Sequence, residues 1–167
     1  MPTALSTLAI ASAVFVLLYL RFYWPRRKQI FDFDPGERKG EFEPHAERYQ
    51  SLSKLVLTLA SASTAYLVNF LVNLDGTKPR TSYSLRLEAV APTALTLLCL
   101  SAGSCLGFLL LENLYYEDYV HSKYPSEGIA PRETYTGARY ATILMLSGTG
   151  LVFFVLAYVI VATWLFF

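Results

Sequence analysis

Charge is missing from long stretches of this sequence, and that deficit decides more than any motif. Lys and Arg total 14 and Asp and Glu 13, for a net charge of +1. A nucleic-acid binder concentrates basic residues on one face, and so even a balance argues against one. Nucleotide-binding and hydrolytic signatures are missing too: there is no P-loop, dinucleotide-binding glycine motif or Ser/His/Asp arrangement. The two histidines, His45 and His121, lie outside the apolar stretches, so neither is placed to ligate a haem or chlorophyll within a membrane. Cysteine is limited to Cys99 and Cys105, six apart in one apolar run, where a bridge would be strained. Both read as buried free thiols. No cofactor is implied.

What fills the uncharged stretches is hydrocarbon. The composition is 54% hydrophobic with a mean hydropathy of +0.37, high for a soluble chain of 167 residues. Four runs qualify as spanning helices: Ala4–Leu20, extended by the aromatic collar Phe22-Tyr23-Trp24, then Leu55–Leu74, Ala89–Leu111 and Tyr140–Phe167. About 20 apolar residues cross about 30 Å of hydrocarbon. The fourth run has no charged side chain from Ile143 onward, and so lacks the polar face of a soluble helix. The expected fold is all-α: a single integral membrane domain, 1–167, with four transmembrane helices (4–24, 55–74, 89–111 and 140–167).

The charges that do exist set the topology. Eight Lys/Arg fall in 21–54 and three in 112–139, while Lys78, Arg80 and Arg86 lie between the second and third runs. The first run is preceded by no Lys or Arg and followed by Arg21 and Arg26-Arg27-Lys28, the order of an uncleaved anchor rather than a signal peptide. Positive-inside bias then puts 25–54 and 112–139 in the cytoplasm and both termini outside. Glu43-Pro44 reads as the start of the second helix, and Gln29–Glu43 as a loop. The third helix is expected to run past Leu111 until Tyr124-Pro125, with Pro125–Gly137 a second loop. Helices two and three, joined by a turn at Asp75-Gly76 and Pro79, form a central antiparallel hairpin projecting into the cytoplasm. Ala, Leu and Arg-rich flanks fit a bacterial inner membrane.

Small residues mark where helices can touch. Ser61, Ala62, Ser63 and Ala65 lie in the second run, Gly103 and Gly107 form a GxxxG pair in the third, and Ser147, Gly148 and Gly150 lie in the fourth. In lipid such residues let backbones approach, either inside one chain or at an oligomer seam. Thr58, Ser61, Asn69 and Asn73 offer a polar stripe, and an amide in hydrocarbon needs a partner helix or a hydrated cavity. Glu88 begins the third run, where a carboxylate suits a helix N-terminus. Around the inner ends, Tyr115, Tyr116 and Tyr119 suit an interfacial belt or a partner-protein surface. Glu117 and His121, four apart on one helical face, suit a solvated salt-bridge face better than a metal site.

The function expected from these residues is that of a non-enzymatic accessory or scaffold subunit, its partners being lipid and either other membrane subunits or further copies of itself. A homo-oligomeric channel or membrane-permeabilising component, lined by the second helix and gated by a cytosolic partner, is the alternative. A membrane enzyme resting on Glu117 and His121 comes third.

Overall fold

The computed structural model describes residues 4–27, 35–73, 81–123 and 137–166. Every described element is helical: α1 (Ala4–Leu18), a π-helical turn (Tyr19–Tyr23), α2 (Trp24–Arg26), α3 (Pro35–Val72), α4 (Ser82–Lys123) and α5 (Gly137–Phe166). Three helical stretches are long and apolar enough to cross a membrane: Glu47–Val72, Ser84–Tyr115 and Ala138–Leu165. The first helix is apolar over the shorter stretch Ala9–Tyr23. Arg21 and the aromatic residues Phe22 and Tyr23 lie at the C-terminal end of that stretch.

The chain is therefore a small multi-pass α-helical membrane protein. Its outward surface agrees with a lipid surround. Phe15, Leu17, Leu55, Leu106, Leu110, Val155 and Val159 are all exposed, more apolar surface than a lone soluble monomer of this size presents to water.

Side-chain contacts fix the relative direction of the helices. Ser53 meets Ser147 and Ser63 meets Tyr158, so α3 and α5 run parallel. Ser101 bonds Gly150 while Gly107 faces Leu146, so α4 runs antiparallel to α5. Gln50, near the start of the α3 span, hydrogen-bonds Glu112 near the far end of α4, with Lys54 close by. α4 lies at the centre, packed most extensively on α5 and next on α3, while α3 and α5 touch far less. The core follows from this. Leu87, Val90, Ala94, Leu97 and Leu98 of α4 meet Ala60 and Leu67 of α3, Phe153 and Ala157 of α5, and Ala11 of α1. A second cluster, at the end of the bundle where the α3 and α5 spans start, joins Phe108 and Ile143 to Tyr49, Tyr115 and Tyr140.

Helix boundaries depart from the sequence reading in three places. α3 begins at Pro35 rather than Glu43-Pro44, so 35–43 is helix and not loop. Pro35 fills the first position, where its missing N–H is no loss, and Glu37 sits in the first turn, the same start signature as Pro44 with Glu47. α4 begins at Ser82 because Thr81 caps it: the Ser84 N–H donates to Thr81 Oγ1 at 3.2 Å and the Ser84 hydroxyl to the Thr81 carbonyl at 2.8 Å. Glu88 consequently lies in the second turn, beyond the reach of the N-terminal dipole, and Pro92 is inside the helix. α4 does continue past Leu111 and is helical as far as Lys123, while Tyr124-Pro125 lie outside the described residues. The expected loop Pro125–Gly137 differs at Gly137, which is already helical in α5, while its other residues and the turn at Asp75-Gly76 and Pro79 lie outside the described residues.

At about 1.5 Å per residue, α3 and α4 are roughly 57 and 63 Å long, twice the hydrocarbon thickness. Their surplus lengths, before Glu47 and after Tyr115, lie at the same end of the bundle.

α1 ends in a local device that suits a membrane surface. The Trp24 N–H reaches back five residues to the Tyr19 carbonyl, which widens the turn and stacks Tyr19 on Tyr23 with ring centroids 4.9 Å apart. The Arg27 guanidinium lies over the Trp24 ring, 3.3 Å from its centroid. Aromatic rings backed by cations belong at the headgroup level.

Candidate functional site

Two groups of small and polar residues stand out, and the fold treats them in opposite ways. The first is the α4–α5 crossing. Ser101 is fully buried and donates its hydroxyl to the Gly150 carbonyl at 2.7 Å. A Cβ placed on Gly150 would lie 2.5 Å from Cys105 Sγ and 3.3 Å from the Ser101 carbonyl, so the two backbones meet with no room for a side chain. Nearby, buried Ser53 and Ser147 share a hydrogen bond of 3.1 Å that ties α3 to α5.

The other glycines behave differently. A Cβ on Gly148 would meet Phe22 and Leu18 at ordinary contact distance, and one on Gly107 would meet Leu146 at 3.8 Å. Gly103 has nothing within 4 Å. The GxxxG pair thus splits, with Gly107 facing α5 and Gly103 facing outward.

The second group is the stripe on α3. Ser53, Val56, Ala60 and Leu67 turn inward, and with 3.6 residues per turn the opposite side carries Lys54, Thr58, Ser61, Ala65, Asn69 and Val72. All six are exposed. Lys54, Thr58, Ser61, Ala65, Val68 and Val72 follow one another at alternating spacings of four and three, the seam of a left-handed helix pair. Thr58 returns its hydroxyl to the Lys54 carbonyl at 2.9 Å, and the Asn73 amide nitrogen donates to the Asn69 carbonyl and to Asn69 Oδ1, each at 2.8 Å. Those local bonds satisfy donors that would otherwise face hydrocarbon. Ser61 and Ala65, read from sequence as packing residues, are both exposed, covered by none of the described helices.

Tyr115 is half-buried in the second cluster with the Arg139 guanidinium 5.1 Å from its ring centroid, so much of its ring is used within the chain. Glu117 is exposed. The side chains of Tyr116, Tyr119 and His121 lie outside the described set.

Sequence reasoning missed one further polar contact. The Ser63 and Tyr158 hydroxyls lie 2.6 Å apart at the mouth of a cleft bounded by α3, α4 and α5. A tyrosine inside the most apolar helix was the available signal, because a buried phenol usually finds a hydrogen-bond partner.

The chain matches no protein-family model, no curated protein and no solved structure. The functional reading therefore rests on the geometry alone.

Proposed function

We propose that the chain is a non-enzymatic accessory or scaffold subunit of a larger membrane assembly, docked through the outward face of α3. One observation carries this reading: within a membrane span, the side opposite the chain's own core exposes the small and polar residues Thr58, Ser61, Ala65 and Asn69 beside Val68 and Val72. A face left to lipid gains by carrying Leu, Ile, Val or Phe, whereas Thr58, Ser61, Ala65 and Asn69 gain by meeting another helix, which they let approach closely and bond. The heptad spacing of the stripe suits a helix partner along several turns.

In this reading α1 is the fourth crossing. Continuous helix from Ala4 to Arg26 would be roughly 35 Å long, enough for the hydrocarbon core. Eleven of the fourteen Lys/Arg then lie in 25–54, in 112–139 or at Arg21 on the cytoplasmic side, with both termini outside. The helical surplus of α3 and α4 forms a hairpin reaching into the cytoplasm, and a bacterial inner membrane fits the composition.

A homo-oligomeric channel is the second reading, favoured by the same outward exposure of Thr58, Ser61, Asn69 and Asn73, which copies arranged in a ring would turn toward a shared axis. A photoreactive benzoylphenylalanine at Ala65, compared with one at Leu110, separates the two. The subunit reading expects adducts to unlike chains from Ala65 and lipid adducts from Leu110. Adducts between identical chains, with an ion leak in liposomes that Asn69→Leu reduces, would establish the channel instead.

A further inference from the structure

Between α3 and α5, over the surface of α4, lies a cleft of about 450 Å³. Leu67 and Leu98 lie deep in it, Val161 and Leu165 lie toward one end, and the polar groups on its lining are Ser63, Tyr66 and Tyr158. That volume and that ratio of apolar to polar lining are those of a small-molecule site. The hydrogen bonds then say which ligand chemistry fits. Ser63 has one hydroxyl proton and gives it to the Leu59 carbonyl at 2.7 Å. The 2.6 Å contact with Tyr158 must therefore be a donation from the phenol to Ser63 Oγ. Tyr158 has then used its only proton, and its oxygen is left as an acceptor on the wall of an apolar cleft.

Depth narrows the choice. Ser63 lies nine residues before the end of α3 at Val72, about 14 Å along the axis, close to half the hydrocarbon thickness. A phospholipid headgroup stays at the interface and cannot place its polar atoms there. The geometry points to a lipid-binding site for an uncharged, membrane-dissolved long-chain or isoprenoid alcohol, its hydroxyl donating to Tyr158 Oη and its hydrocarbon lying along the cleft toward Val161 and Leu165. A ligand with an acceptor alone, such as an ether, would set two lone pairs against each other.

The test uses the full chain in nanodiscs with a diazirine-bearing hexadecanol as probe. Labelling is expected to be saturable and to map to the peptides carrying Tyr66 and Tyr158. Hexadecanol should compete about tenfold better than hexadecyl methyl ether, the worth of one hydrogen bond. Ser63→Ala frees the Tyr158 proton for the ligand, so the ether should now compete as well as the alcohol. Ala62→Phe, which adds bulk to an exposed wall position, should abolish the saturable component. The proposal is overturned by labelling that spreads evenly over lipid-facing helices, by equal competition from alcohol and ether on the unaltered protein, or by a Ser63→Ala variant that keeps the preference for the alcohol.

Discussion

The α4–α5 crossing and the outward face of α3 are built from the same residue types, and the structure uses them for different ends. At the crossing, Ser101, Cys105 and Gly150 bring two backbones together until nothing else fits. On α3, Ser61 and Ala65 stand exposed along a seam that no described helix of this chain covers. A small residue in a membrane helix therefore marks a place where a neighbour can come close, and only the rotation of the helix says whether that neighbour belongs to the same chain.

Substitutions should separate the two regions by the property they damage. The largest effect on stability is expected from Gly150→Leu, where a side chain must displace Cys105 Sγ and the backbone of α4. A loss of about 3 kcal/mol should appear in reversible denaturation in mixed micelles. Cys105→Ala should recover part of the loss caused by Gly150→Ala, since it removes the nearest atom, and a double-mutant cycle would measure that coupling. If Gly150→Leu is tolerated, the crossing is not the close contact described here.

Ser101→Ala and Ser53→Ala should each cost about 0.5–1.5 kcal/mol in the same assay, because each loses one buried interhelical hydrogen bond. The Ser53→Ala and Ser147→Ala effects should not add, as either one removes the shared bond. Smallest of all, Gly103→Ala and Ala65→Leu should leave monomer stability within about 0.5 kcal/mol, since both point outward. A GxxxG seam within the chain predicts the opposite for Gly103→Ala; a large stability loss there would show that Gly103 does pack within the chain.

The long spans were legible because hydrophobic length is a one-dimensional property: a window of about 20 residues carries it without any neighbour. The continuation of α4 past Leu111 was equally local, since neither Gly nor Pro interrupts 108–123. Local signals also misled. Gly36 and Gly40 made the start of α3 look like a loop, although Pro35 with Glu37 offered the same start signature credited to Pro44. Thr81 was passed over as a cap because the eye goes first to the apolar run, which starts later.

Much less of the candidate site could be read. Gly103 and Gly107 look equivalent in sequence, yet one faces Leu146 and the other faces outward, a difference set by how α4 is rotated against α5. The pairing of Ser63 with Tyr158 joins residues 95 apart in the chain and depends on α3 and α5 running parallel on either side of α4. Periodicity within one helix contains neither fact.

The most direct measurement of the central claim is the intact mass, and the mass of the constituent chains, of particles extracted in native nanodiscs from cells expressing the unaltered chain or its Ala65→Leu variant. A docking face on α3 predicts a particle with unlike chains in fixed ratio, and release of this chain as a folded monomer by Ala65→Leu. An unaltered chain that emerges alone, or in rings of identical copies, would contradict it, as would a variant that keeps every partner.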